Sequence, residues 1–188
     1  MIPAIGKMLV LGGVRSGKSR YAEELARNQA RAVTLIATAE AQDEEMAARI
    51  EAHRSHRDTR WRVIEEPLAL AAALCKAAVS PDSLVIVDCL TVWLSNLVCG
   101  NDADASRRET QALLDTLSSL AGDCILISNE VGFGIIPANA LARRFGDEAG
   151  VLHQRIAARC DRVVLMVAGL PLTVKDFESR PLPPGASS

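Results

Sequence analysis

The sequence predicts an α/β fold, a mostly parallel sheet flanked by helices on both faces, and three observations carry that prediction. Apolar, β-rich segments recur at residues 7–11, 32–37, 84–87, 124–128 and 162–167, separated by stretches with helical periodicity. Segments 84–87 and 163–167 are apolar at nearly every position, as suits strands covered on both faces rather than one. A glycine-rich run follows the first apolar segment and opens a helical one, the place where strand-to-helix turns bind phosphate.

Taken in order, the strand over 7–11 leads through the glycine run into a helix over 19–28, and the strand over 32–37 leads into a helix over 43–57. A helix over 67–78 precedes the strand over 84–87. Residues 101–106 are polar and turn-like and read as a surface loop. A helix over 107–120, the strand over 124–128 and a long helix over 138–159 follow, with a break expected near Gly146–Gly150. The strand over 162–167 closes the series. Residues 1–179 read as a single nucleotide-binding domain. The tail over 180–188, RPLPPGASS, is too rich in proline, glycine and serine to support a packed element.

Composition narrows the function. The 188 residues are 49% hydrophobic and 23% charged, a globular balance that fits one core without staples. Aromatic residues make up 3% and the formal net charge is -2, so neither stacking platforms nor an overall basic field suits nucleic acid as a partner. The five cysteines are widely spaced and hold no C-x-x-C pair, which reads as reduced thiols without a zinc or redox role. Met8–Leu11 runs straight into the glycine loop instead of a cleavage site. The longest apolar run, 163–174, contains Gly169 and Pro171 and is too short to span a bilayer. A cytoplasmic protein without a membrane span is expected.

The run Gly12-Gly13-Val14-Arg15-Ser16-Gly17-Lys18-Ser19 satisfies G-x-x-x-x-G-K-[ST], the P-loop pattern of nucleotide-binding enzymes. Glycines let successive backbone N–H groups curl round a phosphate with no Cβ in the way, ending at a positive helix N-terminus. Lys18 then neutralises the β- and γ-phosphates, and Ser19 can place its hydroxyl on Mg²⁺. Leu84-Val85-Ile86-Val87-Asp88 has the Walker B form, which makes Asp88 the second metal-site candidate.

The segment 44–57, EEMAARIEAHRSHR, leaves two readings open. Met46, Ile50 and His53 fall at i, i+4 and i+7, so His53 can be a core histidine. Arg49, Arg54, Arg57, Arg60 and Arg62 cluster nearby and can hold phosphates, in which case the His53 imidazole can attack an α-phosphorus. His153, inside the long helix, reads as a packing residue. The chain also fits a P-loop kinase for another small alcohol, without nucleotidyl transfer. A GTP-binding switch fits poorly, since no N-K-x-D segment is present.

Four segments together resemble one family: GGVRSGKSRYAEELA at 12–26, IATAEAQDEEMAARIEAHRSHR at 36–57, VDCLTVWLSNLV at 87–98, and the stretch at 128–175 that begins SNEVGFGIIP. The chain resembles the bifunctional adenosylcobinamide kinase / adenosylcobinamide-phosphate guanylyltransferases of cobalamin biosynthesis. The resemblance implies a RecA-like P-loop NTPase fold, a homotrimer, and two consecutive reactions. In the first, ATP or GTP phosphorylates adenosylcobinamide. In the second, GTP delivers GMP to adenosylcobinamide phosphate through a GMP–histidine intermediate, releasing pyrophosphate. It implies that His53 is the guanylylated position. It further implies nucleotide contacts from the glycine loop, Ala37, Thr38, Ala39, Arg54, Ser55, His56, Arg57, Glu65 and Asp88. Glu65 is preferred over the adjacent Glu66. The segment 129–134, NEVGFG, follows a strand, so it can either touch substrate or serve only as a glycine turn.

Overall fold

Met8, Leu9 and Val10 are fully buried in strand β1 (Lys7–Gly12), which lies inside the sheet and ends on the glycine loop. The structure, a computed structural model, describes residues 5–29, 31–40, 44, 51, 58–100, 102 and 104–176. After β1 come α1 (Lys18–Arg27), β2 (Val33–Ala37), β3 (Arg62–Glu65), α2 (Leu70–Ala77), β4 (Leu84–Asp88) and α3 (Leu90–Val98). The chain continues with α4 (Ala105–Ser119), β5 (Asp123–Asn129), α5 (Ala140–Arg159), β6 (Arg162–Val167) and β7 (Leu170–Lys175). Of the helix expected over 43–57, only Glu44 and Glu51 are described, and both are helical.

The seven strands lie in the order β3-β2-β4-β5-β1-β6-β7, all parallel except β7, which runs antiparallel to β6. Alternation along each strand divides the core. Leu9, Ile36, Val85, Val87, Leu126 and Val163 face a layer made of α2, α3, α4 and α5. Val10, Leu35, Ile86, Ile127 and Val164 face α1, which contributes Ala22 and Ala26. The expected architecture therefore holds, with helices on both faces of a mostly parallel sheet.

Four features differ from the sequence reading, each for a local reason. Helix α3 buries Leu90, Trp93, Leu94 and Leu97 at i, i+3, i+4 and i+7, a helical stripe inside a run so apolar that its period is hard to see. Helix α4 starts at Ala105, inside the stretch read as a loop, because Ser106 is buried and donates to Glu148 Oε2 on α5 at 2.6 Å. Helix α5 is unbroken through Gly146 and Gly150. Its Asn139 cap accepts the amides of Leu141 and Ala142, and Ala149, Leu152, His153 and Ile156 form one buried stripe, which outweighs about 1 kcal/mol per helical glycine. The fourth difference is a pair of unexpected edge strands. β3 is four residues long, and β7 is exposed along most of its length with Pro171 tolerated at the edge.

The β6–β7 turn bears on the site. Ala168 and Gly169 both have positive φ, 51° and 83°, the arrangement of a two-residue type I′ hairpin turn. The amide of Gly169 donates to the carbonyl of Ser16 at 3.0 Å, fastening that turn to the glycine loop.

Candidate active site

The phosphate loop has the backbone its glycines were expected to supply. Gly17 takes φ 97° immediately before α1, and Gly12 takes φ 153° with Met166 O and Ser16 Oγ each 2.6 Å from where a Cβ would stand. Gly13, Val14 and Arg15 are exposed, Ser16, Gly17 and Ser19 half-buried, and Lys18 buried. Lys18 Nζ donates to Gly13 O at 2.6 Å, so the ammonium is already held over its own loop. Burial lowers the Lys18 pKa below the usual amine value, while Cys89 and Asp88 nearby oppose the shift. Ser19 Oγ donates to Asp88 Oδ2 at 3.4 Å, joining the first turn of α1 to the end of β4.

Strand register explains why these residues meet. Gly12 pairs with Asn129, Ile127 with Asp88, Asp88 with Ala37, and Ala37 with Glu65, so the carboxyl ends of five strands form one row. Side-chain alternation places Asp88, Asn129 and Glu65 on the α1 side of the sheet. Crevices at the carboxyl ends of parallel strands are where such sheets hold ligands.

Several expected contacts sit differently from one another. The hydroxyl of Thr38 is fully buried, donates to Cys89 O at 2.8 Å and accepts the Cys89 amide at 2.9 Å, so its side chain pins the end of β4. Asn96 Nδ2 holds the Thr38 carbonyl at 2.9 Å from α3. Ala37 is buried and Ala39 half-buried. Glu66 Oε1 accepts the amides of Leu68 and Ala69 at 3.1 and 2.8 Å, which commits that carboxylate to the start of α2. Glu65 is exposed at the strand end. His53, Arg54, Ser55, His56 and Arg57 lie outside the described residues.

A divalent cation fits the Ser19–Asp88 pair. Both donors are hard oxygens, and among the described residues no three His, Cys, Asp or Glu side chains cluster, so phosphate oxygens and water would complete the shell, as Mg²⁺ prefers. Sequence reasoning passed over one set of residues here. Thr91, Ser128, Glu130 and His153 form a polar cluster beside the loop, and a histidine set among Leu152 and Ile156 on an apolar stripe gave the only hint of it.

The family described as cobinamide kinase / cobinamide phosphate guanyltransferase matches residues 8–174, nearly the whole described chain. The chain belongs to this family. It is 52% identical to the bifunctional adenosylcobalamin biosynthesis protein CobP of Pseudomonas aeruginosa, with 89% of this chain and 96% of that protein covered. It is 39% identical to the bifunctional adenosylcobalamin biosynthesis protein CobU of Escherichia coli strain K12, with 89% and 99% covered. Among solved structures it is similar in fold to a KaiC-like protein of Pyrococcus horikoshii, at TM-score 0.54 and 14% identity over 95% of this chain and 82% of that one. The RadB recombinase gives TM-score 0.51 at 15% identity over 86% and 74%. Among the described residues no helix is long and apolar enough to cross a membrane.

Proposed function

We propose that both reactions of the family use the Gly12–Ser19 cradle, on adenosylcobinamide and then on adenosylcobinamide phosphate. In the kinase step the alcohol oxygen of the corrinoid arm attacks the γ-phosphorus of ATP or GTP, the bond to the β-bridging oxygen breaks, and the hydroxyl proton passes to water. Lys18 and the loop amides hold the phosphates and take up the charge that moves onto the leaving diphosphate. Ser19 and Asp88 would hold Mg²⁺, which would supply further neutralisation of phosphate charge.

In the transferase step the His53 imidazole attacks the α-phosphorus of GTP and pyrophosphate leaves, which gives a phosphoramidate. A phosphate oxygen of adenosylcobinamide phosphate then displaces the imidazole, forming adenosylcobinamide-GDP and restoring His53. Arg54, Ser55, His56, Arg57 and Glu65, with the 37–39 strand end, are the proposed nucleotide contacts. The observation that carries the reading is the Ser19–Asp88 pair beside Lys18 at the row of strand ends, in a chain of this family. A His53→Ala variant tests it: kinase turnover should persist while formation of adenosylcobinamide-GDP stops. Normal guanylyl transfer by that variant would overturn the assignment.

A cytoplasmic homotrimer is the assembly proposed. Phe133, Ile135 and Ile136 on the segment after β5 and Leu141 at the start of α5 stand 82%, 96%, 80% and 50% exposed, and a second copy covering them fits their apolar character. Light scattering on a Phe133→Asp, Ile135→Asp variant checks this, with loss of the trimer expected.

A further inference from the structure

Side chains from three elements meet behind the segment that leaves β5. His153, on α5, is buried, with Nε2 2.8 Å from Ser128 Oγ on β5 and Nδ1 3.9 Å from Glu130 Oε2. Ser128 Oγ lies 3.0 Å from Thr91 Oγ1 on α3, and Thr91 Oγ1 accepts the amide of Asn129 at 2.6 Å. The Glu130 amide donates to Gly12 O at 2.9 Å, while Glu130 Oε1 accepts the amide of Gly132 at 2.6 Å. The segment 129–132 is thus tied to the phosphate loop on one side and to the His153 ring on the other.

Thr91 Oγ1, which accepts the Asn129 amide, shares a hydrogen bond with Ser128 Oγ, and Ser128 Oγ shares another with His153 Nε2, so the hydroxyls link Asn129 to the ring. His153 Nδ1 faces the Glu130 carboxylate. Burial favours the neutral imidazole by lowering the His153 pKa, with Glu130 opposing.

A serine, a histidine and an acid in this sequence suggest an acyl-transfer set, but burial excludes it. Ser128 has no exposed surface and its hydroxyl is shared between Thr91 and His153, so no carbonyl can reach it. What the cluster can do is hold a backbone. Asn129 pairs with Gly12 in register and lies on the α1 side of the sheet, two residues beyond Ile127, the partner of Asp88. A shift of the segment moves Asn129 and the Gly12 carbonyl together.

We propose that His153 is a positioning residue for the phosphate site, its Nε2 bonded to Ser128 and its Nδ1 facing Glu130 so that the 129–134 segment stays registered against Gly12. The inference rests on the reading that the Gly12–Ser19 cradle performs phosphoryl transfer. Two readouts keep its failure separate from failure of that reading.

The first is amide hydrogen exchange on the intact protein, which needs no activity. His153→Ala should raise exchange across residues 129–134 by about tenfold or more, with β4 and α1 unchanged, and His153→Gln, whose amide can still hydrogen-bond Ser128, should restore most of the protection. Glu130→Gln, on the partly exposed side of the cluster, should loosen the same segment. The second readout is kinase turnover below the melting point of each variant. In His153→Ala, kcat should fall about ten- to a hundredfold while KM for the nucleotide stays within about threefold, as expected for misplaced rather than missing groups. Exchange in 129–134 unchanged from wild type, or raised evenly over the whole sheet, would overturn the proposal, as would an unchanged kcat. Absence of kinase activity in the wild type would instead count against the cradle's assigned reaction, and the exchange result would still decide the role of His153.

Discussion

Ser19, in the first turn of α1, donates its hydroxyl to the Asp88 carboxylate 69 positions later at 3.4 Å. The contact exists because α1 packs on the face of the sheet to which Asp88 points, while β5 stands between β4 and β1. Helix and strand end therefore converge beside Lys18.

Asp88→Asn keeps the shape of that pair and removes its charge. Both half-reactions should slow by about 10²–10³-fold in kcat, and the Mg²⁺ concentration for half-maximal rate should rise. Initial rates across a Mg²⁺ titration check this, and a variant with wild-type Mg²⁺ dependence would remove Asp88 from the metal site.

Gly12→Ala places a methyl group 2.6 Å from the Met166 carbonyl oxygen, on a backbone at φ 153°. That oxygen is backbone and not the free end of a flexible side chain, so β1 and β6 must part. A loss of about 1–3 kcal/mol in unfolding free energy is expected, with weakened nucleotide binding. Urea titration and nucleotide titration measure the two effects.

Trp93 is fully buried in α3 and its Nε1 donates to Leu68 O at 2.8 Å, which ties α3 to the chain just ahead of α2. Trp93→Ala should cost about 3–5 kcal/mol and Trp93→Phe appreciably less, since the ring is mostly replaced but the Leu68 carbonyl loses its donor. Equilibrium unfolding of both variants gives the comparison.

Stability should fall in mild acid because of His153. Burial holds its folded pKa below the ordinary 6.5, so below that pH the unfolded chain binds more protons than the folded one. The contribution is fully present above about pH 6.5 and is lost as pH falls through the lowered folded value. His153→Gln should flatten that part of the stability profile, as read by melting temperature against pH, whereas an identical slope in both proteins would contradict the assignment.

Much of the phosphate site was legible because its chemistry is local in sequence. Eight consecutive residues specify the loop, and Asp88 is marked by the four apolar positions before it. The pairing of those two segments across the sheet is not local. It follows from strand order, which the pattern of apolar runs does not state. Edge strands β3 and β7 escaped notice because exposed strands lack the continuous apolar signal of β4 or β6. Helix α3 was hidden by the opposite excess, and Gly146 suggested a break that the buried stripe of α5 overrides. The Thr91–Ser128–His153–Glu130 cluster was illegible for a further reason: its members come from separate elements, and each alone has an ordinary structural explanation. Glu66 shows the converse, since its role at the start of α2 separates it from Glu65, a distinction the adjacent letters could not make.

Intact-protein mass spectrometry after mixing the protein with GTP and Mg²⁺ is the most direct test of nucleotidyl transfer through His53. One GMP should be added per chain, lost in acid as a phosphoramidate is, and missing from His53→Ala. Unmodified wild-type protein, or equal labelling of His53→Ala, would contradict the covalent step.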